Sequence, residues 1–249
     1  MFCGGVTDLA GCGRCLDAQQ PLRGTDIASW RARHRALLGK AAFLVAPSAW
    51  AASMIERYFP GRSVAVIPHG MPAASTASAN GLSTSAPFDL PDDGVPMVAV
   101  LGATGPDKGS RRLEHMVERV RRDGLRVRFA LIGYHDGENG PWQSDDGIFT
   151  IHGRYEPEDL PLLLAHYRVK PVAFPSTGPE SFSFTQSESW AAGLPVIVPP
   201  IGALGERLEA TRAGWIWTDA EWRSDDAMLA RIMSLVDPST SDALAAAAA

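Results

Sequence analysis

Met97-Val-Ala-Val-Leu101 runs into Gly102-Ala-Thr-Gly105-Pro-Asp-Lys108-Gly109, and then into Ser110-Arg-Arg-Leu113-Glu-His-Met116-Val117-Glu-Arg-Val120. The first segment is a continuous apolar run. A strand that alternated apolar and polar residues would be solvated on one face, whereas a continuous run suits a strand buried on both. The last segment places Leu113, Met116, Val117 and Val120 at helical spacing. The unit reads as strand, glycine-rich loop and amphipathic helix.

The pattern recurs toward the C-terminus. Val127–Ile132, Ile148–Ile151, Pro171–Phe174, Val196–Val198 and Trp215–Trp217 read as strands. Pro157 opens a helix carrying Leu160, Leu163, Leu164 and Tyr167. Phe184–Ala192, Gly202–Ala210 and a helix capped by Ser224, with Met228, Leu229, Ile232 and Met233, complete the alternation. Alternating strands and helices predict an α/β fold, a Rossmann-like doubly wound parallel sheet. Ligands of such sheets bind at the carboxyl ends of the strands, which singles out the loops after Leu101, Ile132, Ile151 and Phe174.

Upstream, residues 1–23 read as irregular. A helix follows over 26–38, then a strand over Ala42–Ala46, a helix capped by Ser48 with Trp50, Met54, Ile55 and Tyr58 on one face, and a strand over Ser63–Ile67. Residues 72–94, rich in Ala, Ser, Thr, Pro and Gly, read as a linker. The domain division is therefore 1–71, a linker over 72–94, a ligand-binding domain over 95–240 and a tail over 241–249. The alanines Ala245–Ala249 are set aside.

Of the 249 residues, 45% are hydrophobic and 20% charged, with a net charge of -5 and no like-charge run. The balance argues against nucleic acid as a partner, since phosphate backbones need a basic face. No apolar run approaches the roughly 18 residues of a membrane span, and no basic stretch precedes an apolar core at the N-terminus, so a cytoplasmic protein is expected. Cys3, Cys12 and Cys15 cluster near the start. They read either as reduced thiols or as three ligands of a zinc site that lacks an obvious fourth.

Two segments carry chemistry. In Gly102–Gly109 the glycines let backbone approach a ligand, the next helix offers free N–H groups, and Lys108 adds a point charge. The loop is neither a Walker loop nor a full dinucleotide fingerprint, and taken alone it is also compatible with a plain turn. The second segment is Pro175-Ser-Thr-Gly178-Pro-Glu180-Ser-Phe-Ser-Phe-Thr185-Gln-Ser-Glu188-Ser-Trp-Ala-Ala-Gly193-Leu-Pro195. Glu180 sits at a helix start and Glu188 one turn inside, on the Phe184 face. Both carboxylates then point toward the strand ends, where an ionised carboxylate can accept from both hydroxyls of a vicinal diol. The N–H groups of Ser181, Phe182 and Ser183 are expected to open the helix toward an anion. A single glutamate in either place is ordinarily a dipole partner or a solvated helix residue; the full string is what changes that reading.

That string resembles the signature of group 1 (family 4) retaining glycosyltransferases of the GT-B fold. Val66-Ile-Pro-His-Gly70, Gly102–Gly109, Gly153-Arg-Tyr155 and Gly202-Ala-Leu-Gly-Glu206 resemble other segments of the family in the same order. The resemblance covers roughly residues 24–235. It implies a C-terminal donor-binding domain preceded by the last part of an acceptor-side domain. It implies transfer of a sugar from a nucleotide sugar, of the UDP or GDP type, to a saccharide or lipid-linked acceptor with retention. It also implies surface-polysaccharide or O-antigen assembly, without cofactor or metal and at the cytoplasmic face of the inner membrane. By resemblance Lys108 neutralises the diphosphate and Glu180 contacts the donor sugar. Glu188 holds the ribose, the backbone at Arg154 and Tyr155 meets the base, and Gly102, Thr104, Gly105, Ser181, Phe182 and Ser183 line the donor. The family often has arginine where Ala103 stands, so either another arginine, Arg111 or Arg112, substitutes for that cation or activity is weaker. His135 could approach the nucleotide, whereas His152 and His166 read as surface or packing residues. The alternatives are a non-catalytic nucleotide-sugar-binding subunit and a nucleotide-sugar epimerase of the same fold.

Overall fold

The structure, a computed structural model, describes residues 8–19, 24–70, 86–135 and 140–237. The chain divides into two compact units, 1–69 and 70–249.

The first unit contains α1 (Leu9–Gln19), α2 (Ile27–Lys40), β1 (Val45–Ala46), α3 (Ala49–Tyr58) and β2 (Ala65–Val66). Asp26 caps α2 by accepting from Ser29 N, and Ser48 caps α3 by accepting from Ala51 N. The strands expected over 42–46 and 63–67 shorten to two residues each, paired in parallel. Helix α1 overturns the irregular reading of residues 9–19. Its glycines, Gly11 and Gly13, each cost about 1 kcal/mol relative to alanine, which is why the sequence argued against a helix. The Asp8 carboxylate accepts from Gly11 N, and buried Arg31 of α2 donates to Cys12 Sγ at 2.8 Å while stacking on Tyr58. These contacts outweigh the weak local propensity. Cys3 lies outside the described residues. Among the described residues no three His, Cys, Asp or Glu side chains are grouped to hold a metal.

The second unit is built on a seven-stranded sheet. Its elements are β3 (Met97–Thr104), α4 (Ser110–Asp123), β4 (Arg128–His135), β5 (Trp142–Gln143), β6 (Phe149–Ile151), α5 (Leu160–His166), β7 (Val169–Ala173), α6 (Phe184–Ala191), β8 (Val196–Val198), α7 (Gly202–Thr211), β9 (Gly214–Ile216), α8 (Asp219–Trp222) and α9 (Asp225–Val236). The order is β5-β6-β4-β3-β7-β8-β9, parallel except for the edge strand β5. Neither β5 nor α8 is visible in the apolar pattern. Strand β5 is two residues of edge pairing, and α8 is a single turn set by a capping box between Thr218 and Glu221.

The central strand shows why its sequence lacks alternation. Val98 and Val100 join one core with Leu113, Met116, Val117 and Val120 of α4 and Met228, Leu229 and Ile232 of α9. Met97, Ala99 and Leu101 join a second core with Leu160, Leu163, Leu164 and Tyr167 on the α5 side and Leu204 and Leu208 of α7. Both faces of β3 are therefore apolar, and the sheet lies between two helical layers.

Of the expected linker, 72–85 lies outside the described residues, and 86–93 is hydrogen-bonded to the rest of the second unit. Phe88 O accepts from His166 Nε2 at 3.0 Å. Leu90 O and Pro91 O accept from Arg168, and the Asp93 carboxylate takes two hydrogen bonds from Arg128. That bidentate pair holds the Asp93 carboxyl well below the usual carboxylate range. Among the described residues no helix is long and apolar enough to cross a membrane.

Candidate functional site

Strand β3 hands the chain outward to β4, and β7 hands it the other way to β8, yet β3 and β7 are neighbours. The loops leaving them at their carboxyl ends therefore flank the point where the winding reverses, which is where open parallel sheets bind ligands. One is the glycine-rich loop and the other carries Glu180.

The glycine-rich loop is shorter than the sequence suggests. Gly102 and Thr104 belong to β3 and pair with Gly133 and His135 of β4. Gly102 reads as a turn signal, but here the facing residue is also glycine. A Cβ on Gly133, whose φ is +145°, would lie 2.0 Å from the Gly102 carbonyl oxygen. Two bare backbones thus meet, and the strand continues. The turn itself is Gly105–Gly109, with a 3-10 turn over Pro106–Lys108 and Gly109 left-handed at φ 85°.

The second loop is fastened by four other parts of the chain. Thr177 N donates to Asp107 O at 3.0 Å, joining it to the first loop. A Cβ on Gly109 would strike Pro175 O at 2.1 Å, so the contact requires glycine. Trp222 Nε1 donates to Ser176 O, and Ala203 N at the start of α7 donates to Glu180 O, both at 2.9 Å. Arg207 of α7 donates to Phe182 O and Ser183 O at 2.9 and 2.8 Å, reaches Gln186 Oε1 and Ser187 Oγ, and lies 3.9 Å from the Phe182 ring centroid. Ser183 has φ 73°, a conformation that costs a non-glycine residue on the order of 1–3 kcal/mol. Arg207 holds the carbonyls on either side of that strained peptide.

Helix α6 begins at Phe184, with Ser183 as its N-cap. The helix-opening N–H groups accordingly belong to Phe184, Thr185 and Gln186, and Ser181–Ser183 form the approach to the helix. The sequence places the helix start at Phe184, as the structure has it, and only the opening N–H groups are assigned three residues too early, because the left-handed turn at Ser183 has no glycine to announce it. Gly193 lies one residue beyond the Ala192 cap.

Two recesses flank the end of β3. Lys108, Glu180, Thr104, Thr185 and Ser176 line a narrow one. Gly102, Ala103, Gly133, Tyr134, Arg154, Tyr155 and Glu156 line the other, of about 200 Å³. Thr185 connects them, since its methyl lies 3.4 Å from where a Cβ on Gly102 would stand. Tyr155 of the second recess feels the charge of half-buried Glu188: burial first, and then that charge, push the Tyr155 phenol up. A larger cavity, about 860 Å³, lies among Pro96, Val169 and Lys170 at the amino ends of the strands, away from this chemistry.

The structure thus brings Lys108 and Glu180 together, and places Arg154 and Tyr155 around a neighbouring recess, with Glu188 close enough to Tyr155 for its charge to act on the phenol. Arg112 is drawn elsewhere, 3.4 Å from Asp225 and over the Trp222 ring, so it does not substitute for a cation at Ala103. Arg111 is exposed on α4. His135 lies 2.9 Å from Glu114. His152 is buried against Tyr167, with Nδ1 and the phenol oxygen 2.9 Å apart, and His166 binds Phe88 O, so both pack. Thr185, Tyr134, Glu156 and Arg207 were not singled out by the sequence. Only the register of β3 against β4 and the fold of α7 bring them to the site.

Burial raises the Glu188 carboxyl above its usual value. A carboxyl raised by folding contributes stability that is fully present below the unfolded value and is lost as pH rises through the folded one. Glu188→Gln is therefore expected to raise the melting temperature of the unliganded chain at pH 7 and to leave it nearly unchanged at pH 4. Calorimetry at the two pH values checks this, and a lower melting temperature at pH 7 would contradict it.

The family described as glycosyl transferases, group 1, matches residues 95–238, more than half of the chain. No curated protein sequence matches it. Among solved structures, the sucrose-phosphate synthase from Thermosynechococcus elongatus is similar over 97% of this chain and 60% of that one, with TM-score 0.65 and 20% identity. The Anabaena protein HepE in complex with UDP-glucose matches over 89% and 61%, with TM-score 0.62 and 18% identity. WaaG, a glycosyltransferase involved in lipopolysaccharide biosynthesis, matches over 98% and 68%, with TM-score 0.62 and 15% identity. At these identities the likeness establishes the shared GT-B fold. The chain spans about 60% of the length of the first two.

Proposed function

The chain belongs to the group 1 glycosyl transferases, and on that premise we propose that it is the donor-binding part of an enzyme that moves a sugar from a nucleoside diphosphate to an acceptor with retention. The observation that carries this reading is the convergence of Lys108 and Glu180 in one recess with Glu188 and Tyr155 beside the next, at the reversal point of the sheet. A ribose hydroxyl pair fits the Glu188 carboxylate, and a base fits against the backbone at Arg154 and Tyr155. The diphosphate then crosses Gly102 toward Lys108 and the opening N–H groups of α6. Glu180 accepts hydroxyls of the sugar.

The principal chemical task is to stabilise charge developing on the leaving diphosphate. Lys108 and the α6 N-terminus supply that, and a leaving-phosphate oxygen takes the acceptor's proton on the same face of the sugar. Metal is not required in this scheme, so EDTA should leave nucleotide binding unchanged. Because the reaction lies between two domains in this fold, the chain alone is expected to bind donor and to turn it over poorly. We assign it to the cytoplasmic side of the inner membrane and to surface-polysaccharide or O-antigen assembly, with a saccharide or lipid-linked acceptor. The UDP-glucose of the HepE complex and the lipopolysaccharide role of WaaG favour a UDP-type donor and such an acceptor.

Thermal melting with UDP, GDP, ADP and their sugars tests the reading. A ligand at about 100 times its dissociation constant adds roughly 2.7 kcal/mol, which for a domain of this size corresponds to a rise of about 5–10 °C. One nucleotide series is expected to give that rise, and Glu188→Ala and Lys108→Ala to blunt it. Absence of a shift with every nucleotide would remove the reading.

A further inference from the structure

A diphosphate needs more positive charge than Lys108 alone provides, because the same two recesses hold Glu180 and Glu156, with Glu188 beside Tyr155. Among their lining residues one further cation stands, Arg154. Its guanidinium lies over the Tyr134 ring, 4.3 Å from the centroid. Tyr134 is the residue paired with Ala103 across β3 and β4. Ala103 has a short exposed side chain that leaves this side of the recess open. A planar guanidinium laid on a ring keeps its outer N–H donors free to face a phosphate in a bidentate manner.

We propose that the Arg154 side chain is the second phosphate cation of the site, resting on Tyr134 and reaching into the space that Ala103 leaves open. This rests on the nucleotide-sugar reading above and deepens it. The backbone of Arg154 borders the base while its side chain serves the diphosphate. Tyr134 is then a positioning residue that aims the guanidinium.

The test is isothermal titration of the full chain with UDP, GDP and ADP, and with uridine, guanosine and adenosine as their phosphate-free counterparts. Arg154→Gln is exposed and its unliganded melting temperature should stay near wild type. It is expected to weaken the preferred diphosphate at least tenfold and its nucleoside less than twofold. Adding Ala103→Arg to Arg154→Gln returns a cation to the same recess and should recover most of the diphosphate affinity. Tyr134→Leu should weaken the diphosphate less than Arg154→Gln does. Equal weakening of diphosphate and nucleoside would show a base-stacking role and overturn the proposal while leaving the nucleotide reading intact, as would undiminished diphosphate binding. If the wild type binds none of the three diphosphates, the nucleotide reading itself is lost, and this proposal with it.

Discussion

Arg207→Ala is expected to lower stability by about 3 kcal/mol and to abolish nucleotide-induced stabilisation, although Arg207 lines neither recess. Four oxygen acceptors on Phe182, Ser183, Gln186 and Ser187 lose their donor at once. Hydrogen bonds to a charged group contribute roughly 1.5–3 kcal/mol each but do not add, and the Phe182 and Trp190 rings lose a cation as well. The left-handed Ser183 is then unsupported and relaxes, carrying Glu180 and the start of α6 with it. Arg207→Lys should recover part of the stability and little of the nucleotide response, since one ammonium cannot reach the same set of acceptors. Thermal melting with and without UDP reads both effects. A variant that melts lower yet keeps the full nucleotide shift would show that the loop holds its shape without Arg207.

Gly133→Ala should be comparably damaging for a different reason. The added carbon meets the Gly102 carbonyl oxygen at 2.0 Å, and the backbone there sits at φ +145°, where alanine is strained. Strain in such a region costs on the order of 1–3 kcal/mol before the clash is added. Relief requires β3 and β4 to part at their carboxyl ends, beneath the recess. A loss of about 3 kcal/mol or more corresponds to a melting point lower by about 6–12 °C in a domain of this size. Gly193→Ala is the control: its φ is also positive, at +74°, but nothing lies within 4 Å of the added carbon, so it should cost only about 1–2 kcal/mol. Equal effects of the two substitutions would show that backbone conformation, and not the close approach, sets the requirement at Gly133.

The sequence was most legible where both faces of an element are buried. The run Met97–Leu101 and the stripe Leu113, Met116, Val117 and Val120 mark β3 and α4 because burial on two faces, or on one helical face, leaves an unmistakable residue pattern. It was least legible where long-range contacts overrule local preference. Helix α1 forms despite two glycines because Arg31 and Asp8 engage it. Strand β3 passes Gly102 because a second glycine faces it thirty-one residues later in the chain. Lys108, Glu180 and Glu188 stand out in the sequence from their setting near strand ends and from the string that carries the family resemblance. Arg207 does not stand out, since a lone arginine in a helix gives no sign that its acceptors lie about twenty residues upstream.

The loop that presents Glu180 owes its shape to Asp107, Ala203, Arg207 and Trp222, spread over more than a hundred residues of sequence. This sets a lower limit on how far the polypeptide can be shortened. A version ending before Asp219 would retain Lys108, Glu180 and Glu188, yet Ser176 would lose the indole that anchors it and the apolar face of α4 would lose its cover from α9. Such a minimal fragment would keep the recognisable motif and lose the shape of the loop that presents Glu180, so the boundaries of a shorter chain should be drawn from where the anchors end and not from where the motif ends.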